Sequence, residues 1–195
     1  MSINQNKNIS KSDIFENKSE NKSENKSELN ILNSNILKSE LVKYVDQLSK
    51  YMDNTNEYHT WFKKNAKLYH ILNKSESVKV QKRNRTKIKR CFDNCYKAVY
   101  KEQNLKYIEG YSMSLIPIEH AFLINNNSEV IDPTLSINTI NDKDRYGSEY
   151  YGIEIPKNMI AILRMENNYL PLPFLYFKYL KEKRNINEFN VVKVC

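Results

Sequence analysis

Pro117-Ile-Glu-His-Ala-Phe-Leu-Ile-Asn-Asn-Asn-Ser-Glu-Val-Ile-Asp-Pro-Thr134 is the stretch that decides the fold. From Ile116 to Ile124 the residues alternate as in a strand. Ile118, His120 and Phe122 share one face; Glu119, Ala121 and Leu123 share the other. Asn125-Asn-Asn-Ser128 is a turn signal, because asparagine tolerates left-handed backbone angles. Val130-Ile131-Asp132 returns as the partner strand, and Pro133 limits its continuation. A three-residue loop at 125–127 places His120 directly across from Asp132. A five-residue loop at 125–129 places Asp132 one diagonal away. Both odd lengths keep the two side chains on one face.

Working outward, Lys106 to Tyr111 alternates like a further strand, and Tyr150-Tyr-Gly-Ile-Glu-Ile155 adds another. Phe92, Cys95, Tyr96 and Val99 fall at helical spacing, which predicts an amphipathic helix over 91–103. Helices are expected upstream at 38–53, with Leu41, Val42, Val45, Leu48 and Met52 on one side, and near 57–73. Pro156 suits the first turn of a helix that includes Met159, Ile160 and Leu163. A last helix is expected over Phe174 to Lys183. The fold class is therefore α+β over residues 35–195 as one domain: N-terminal helices, a small antiparallel sheet, then closing helices.

Residues 1–34 read as a disordered tail. Within them Asn-Lys-Ser-Glu repeats at 17–20, 21–24 and 25–28, with too little apolar content to offset the entropy of ordering. Charges cancel over 1–28, so the net charge of +8 lies in the rest of the chain. Nothing resembles a signal peptide, and no apolar run approaches the ~18 residues of a membrane span. Three cysteines without a disulfide-like framework point to a reducing, intracellular compartment. Three glycines are too few for a phosphate-cradling loop. The spacings of cysteine and histidine suggest no zinc site, and no cofactor is expected.

The chemistry concentrates between Cys91 and Asp132. Cys91 stands at the predicted start of a helix, outside its apolar stripe, where unpaired backbone N–H groups favour a thiolate. Cys95 shares the stripe and reads as a buried packing residue. A lone histidine in a strand is usually structural, but Asp132 could hold one nitrogen of His120 and leave the other for a thiol. Asn94, one turn from Cys91, is a candidate oxyanion donor, with local capping or plain surface exposure as alternatives of at least equal standing. Glu119 should face away from His120; Glu109 has no assigned role.

This order resembles the transglutaminase-like branch of the papain-like cysteine hydrolases: Cys at a helix start, His-Ala-aromatic on a strand, Asp-Pro-Thr on the next. The likeness covers roughly residues 91–134. The longer pattern, with Glu109-Gly-Tyr, Glu119-His-Ala-Phe, Asp132-Pro-Thr and Tyr151-Gly, also resembles uncharacterised proteins of phages and large DNA viruses. It implies Cys91 as nucleophile, His120 as base and Asp132 as orienting acid. It also implies a papain/transglutaminase-like fold, and, for a viral protein, a place in the host cytoplasm or virion. The expected function is thiol-dependent acyl transfer on a protein or peptide-like amide, or an ester: hydrolase, deamidase or transglutaminase-like. Another reading is nucleic-acid binding through 79–90, where Lys82, Arg83, Arg85, Lys87, Lys89 and Arg90 could meet phosphates. A third is a catalytically inactive structural protein of the same fold.

Overall fold

The computed structural model describes residues 39–51, 56–134, 149–166 and 173–192. The expected tail at 1–34 lies outside them. Mixed helix and sheet is what the described residues form. Helices α1 (Glu40–Tyr51) and α2 (Asn56–Asn65) come first, followed by strand β1 (Lys67–Tyr69) and helix α3 (Lys74–Asn84). Then come α4 (Cys91–Lys101), β2 (Lys106–Met113), β3 (Pro117–Ile124) and the two-residue β4 (Val130–Ile131). Strand β5 (Tyr150–Ile155) and helices α5 (Lys157–Glu166) and α6 (Leu175–Val192) complete the order.

The strands form one antiparallel sheet in the order β1-β5-β2-β3-β4. It curls. Three residues past β1, at one edge, Leu72 bridges to Val130 in β4, at the other. There Asn73 N–H donates to Val130 C=O at 2.8 Å, and Val130 N–H to Ile71 C=O at 2.7 Å. The curl has an apolar interior of Tyr69, Ile108, Phe122, Ile124, Val130 and Tyr150. The outer face of the sheet packs against helices through Tyr107, Ala121, Leu123, Ile131 and Ile153, which meet Leu41, Phe62, Cys95, Val99 and Ile160. Each large apolar side chain buried here contributes about 1.5–3 kcal/mol.

Two glycines permit the curl. Gly110 in β2 pairs with both His120 in β3 and Gly152 in β5. A Cβ on Gly110 would lie 2.2 Å from the Tyr151 carbonyl oxygen, and one on Gly152 2.7 Å from that of Glu109. Only a hydrogen fits between these backbones.

One expectation is corrected. The helix expected near 57–73 ends at Asn65, and Lys67–Tyr69 leaves it to pair with Tyr150–Gly152. The sheet thus draws a strand from a segment that was expected to be helical. Pairing of backbone groups along β5 outweighs the helical spacing of Ala66, Tyr69 and Leu72. The basic run 79–90, for which no element was assigned, is half helix: α3 extends to Asn84 and stops where Arg85 adopts a left-handed conformation, φ 48°.

Candidate active site

Strand β3 pairs with β4 as Leu123↔Ile131 and Ile124↔Val130. The hairpin loop is therefore 125–129, and Asp132 falls one diagonal from His120 on the inner face. Asn125 shapes this loop: its side-chain oxygen accepts from the N–H groups of Asn127 and Glu129, each at 3.0 Å. His120 and Asp132 are both buried. Their contact, His120 Nε2 to Asp132 Oδ2, is 2.6 Å. The carboxylate is held on every side. Tyr150 Oη donates to Oδ2 at 3.1 Å, and Thr134 N–H donates to Oδ1 at 2.9 Å. Its own N–H donates to Ser77 Oγ at 2.9 Å. Neither Tyr150 nor Ser77 was legible as a site residue. Tyr150 could have been found from the alternation of 150–155, which puts it on the face of Gly152, but Ser77 sits in a polar helix with no distinguishing pattern.

Beyond Ile131, Pro133 ends β4, and β3 loses its partner on that side. The start of α4 occupies the vacated edge. Cys95 Sγ donates to the Ala121 carbonyl at 3.2 Å, and the Ala121 N–H helps to lower the Cys91 thiol. The Phe92 N–H does the same, as the orphan donors of a helix start do. Arg90, the residue before the helix, supplies no side-chain cap, so the first-turn N–H groups are not taken by their own N-cap. Two non-glycine residues, Arg85 and Lys89, make left-handed turns on the approach, at φ 48° and 61°.

Cys91 is half-buried and lies within the influence of the His120 imidazole. Nε2 is already on Asp132, which leaves Nδ1 for the thiol. Burial pushes the Cys91 thiol up, but the hydrogen bond and charge of His120, with the N–H groups of Ala121 and Phe92, outweigh it. The net effect holds Cys91 below the ordinary thiol range. Burial pulls the His120 imidazole down. The Asp132 carboxylate and the Cys91 sulfur overcome this and push it up to about 10. Cys95 is the opposite case: full burial, then the charges of Asp132, Cys91 and Glu109, raise it well above a normal thiol.

No family model matches this chain, and no curated protein or solved structure matches it either. What the site can do is therefore argued from its own geometry. A thiol, an imidazole and a carboxylate are linked in series, with the sulfur at the positive end of a helix.

Asn94 stands apart from the expected oxyanion role. It is buried, and its amide nitrogen spends both hydrogens, on Lys87 C=O at 2.6 Å and Thr134 Oγ1 at 3.0 Å. Its oxygen accepts from Lys87 N–H at 3.0 Å. With Thr86 Oγ1, which donates to Pro133 C=O at 2.7 Å, it ties the approach to Cys91 onto the Asp132-Pro-Thr turn. Asn94 positions the loop and has no donor left for an oxyanion.

On the outer face of the sheet lies a cleft of about 600 Å³. Its lining includes Phe92, which follows Cys91, and Glu119, which precedes His120. Glu119 is exposed and turned away from His120, as the alternation requires. Glu109 forms part of the floor and is fully buried. Its carboxylate caps α6: Oε1 accepts from Phe174 N–H at 2.9 Å and Tyr107 Oη at 2.6 Å, Oε2 from Leu175 N–H at 2.7 Å.

The basic residues of 79–90 are partly neutralised. Arg83 bridges Glu76 and Glu102, Lys79 pairs with Glu76 at 3.4 Å, and Arg90 with Asp93 at 3.8 Å. Lys82, Arg85, Lys87 and Lys89 have no ion pair among the described residues. In the same residues no cluster of His, Cys, Asp and Glu could hold a metal, and no helix is long and apolar enough to cross a membrane.

Proposed function

We propose that this chain is a thiol-dependent acyl-transfer enzyme of papain/transglutaminase-like type, acting on a peptide-like amide or an ester. Cys91 passes its proton to His120 and its sulfur attacks the carbonyl carbon. The tetrahedral oxyanion is stabilised by backbone N–H groups at the uncapped start of α4. Collapse breaks the bond to the amine or alcohol, which leaves with the proton from His120, and a thioester remains on Cys91. His120 then takes a proton from water or another nucleophile, which attacks the thioester and releases the thiol. Asp132 keeps the imidazole in the tautomer and orientation this requires, and Tyr150 and Thr134 keep Asp132 in place.

The observation that carries this reading is His120, hydrogen-bonded to Asp132 at 2.6 Å, with the half-buried Cys91 at a helix start near enough for each to shift the other's titration. Iodoacetamide labelling near pH 6, read by mass spectrometry, tests it. Cys91 should react faster than free cysteine, and Cys91→Ala should abolish that labelling. Losing the imidazolium is worth on the order of 1 kcal/mol or more, so His120→Ala should slow the reaction by about tenfold. A Cys91 that reacts no faster than free cysteine would defeat the proposal.

A further inference from the structure

The cleft on the outer face has walls of one kind and charge of one sign. Tyr44, Tyr58, Tyr111 and Tyr176 face it, and they are braced against one another. The Tyr44 and Tyr111 ring centroids are 5.6 Å apart, those of Tyr58 and Tyr176 also 5.6 Å, both edge to face. Rings fixed this way present a set surface and need not be ordered when a ligand arrives. Tyr111 lies directly across from Glu119 in the β2–β3 register, and Glu109 is two residues before Tyr111 on the same strand face. One strand face therefore presents carboxylate, ring, carboxylate. Among the described residues the lining holds these two carboxylates and one imidazole, His59, but no Lys or Arg. This occurs in a chain of net charge +8.

Negative ring faces and carboxylates at one point attract a cation and disfavour an anion. Glu109 is committed to the N–H groups of Phe174 and Leu175, so it does not meet a ligand itself and adds negative charge at the floor only when ionised. Glu119 is exposed at the cleft and can meet a ligand directly. Basic chains ordinarily gather acidic partners. Here a cleft lined by the chain neighbours of Cys91 and His120 selects the opposite sign.

We propose that this cleft holds a cationic side chain, the guanidinium of Arg or the ammonium of Lys, of a peptide whose carbonyl is presented to Cys91. The cation is a recognition element and is not consumed. The proposal rests on the acyl-transfer reading for the second half of that statement alone; the cation site stands on the cleft.

The test uses the full chain and two neutral-ended probes, N-acetyl-arginine methylamide and its citrulline counterpart, titrated by amide NMR. Citrulline keeps the shape and removes the charge. The arginine probe should shift the amides of Tyr58, Tyr111 and Tyr176. It should bind at least about fivefold more tightly than citrulline, the scale of one cation–π contact with a partial ion pair. Glu119→Gln should remove most of that preference. Glu154→Gln, on the exposed outer end of β5, should leave it intact. Equal binding of the two probes, no binding of either, or a preference unaffected by Glu119→Gln would overturn the cation site. Arginine and citrulline chloromethyl ketones then report presentation to Cys91. Faster alkylation of Cys91 by the arginine reagent supports the full proposal. Selective binding without selective alkylation would refute the placement of the carbonyl at Cys91. An unreactive Cys91 with intact arginine preference would remove the acyl-transfer reading and leave the cation site standing.

Discussion

Replacing Glu109 with Gln should change the pH dependence of stability in a way that can be calculated from its surroundings. Glu109 is fully buried. Burial pushes its carboxyl from 4.5 up to about 7, against the opposing pull of Phe174 N–H, Tyr107 Oη and Leu175 N–H; the charge of Glu119 adds to the rise. A carboxyl raised in the folded state stabilises the fold most below its unfolded pKa. As pH rises from about 4.5 to 7, the unfolded chain releases its proton first and the fold loses stability. At 1.36 kcal/mol per unit, the loss is on the order of 3 kcal/mol by pH 8. Glutamine does not titrate. It also presents an N–H₂ where one backbone N–H needs an acceptor, costing about 1–3 kcal/mol at every pH. Glu109→Gln should therefore be clearly less stable than wild type at pH 5 and close to it at pH 8. Urea denaturation of both proteins at pH 5, 6.5 and 8 measures the difference, and contributions of His120 and other groups cancel in the comparison. Parallel stability–pH curves would show that Glu109 does not titrate in this range and that its burial is misjudged.

Asp132→Asn removes the largest influence raising His120, so the pH midpoint for alkylation of Cys91 should move up and the rate near pH 6 should fall; an unchanged profile would show that the two residues are uncoupled. Gly110→Ala forces a Cβ to within 2.2 Å of the Tyr151 carbonyl oxygen, so overpacking should cost about 1–3 kcal/mol or more, and an unaltered urea midpoint would contradict the close approach. Cys95→Ala gives up a buried sulfur and its bond to Ala121; it should cost about 1 kcal/mol while labelling of Cys91 persists.

The hairpin was legible because two separate rules agreed on it. Alternation assigned His120 and Asp132 to a face, and the run Asn125 to Ser128 closed the turn; only the choice between a three- and a five-residue loop needed the structure. The stripe through Phe92, Cys95 and Val99 likewise separated the two thiols before any geometry was known. β1 was not legible because three residues are too few to show a period, and what makes them a strand is β5, over eighty positions away. Asn94 was misread for a related reason. A polar residue one turn from a thiol has the right address for an oxyanion donor, and only the fold reveals that Lys87 and Thr134 already use its amide. The cleft was hidden as well, since its walls come from α1, α2, α4, α6 and two strands, and no local pattern announces that Tyr44, Tyr58 and Tyr176 converge.

The early end of β4 has a consequence for solubility. An unpaired strand edge is a template on which another chain can add. Among the described residues, the stretch of β3 before Leu123 is met on that edge by the first turns of α4, where Cys95 Sγ bonds the Ala121 carbonyl and the Ala121 N–H acts on Cys91. The proposed reactive centre and the protection of a sticky edge are thus the same contact. Any change that loosens the start of α4, including bulky adducts on Cys91, uncovers a strand that can recruit its neighbours, and self-association would accompany loss of the site.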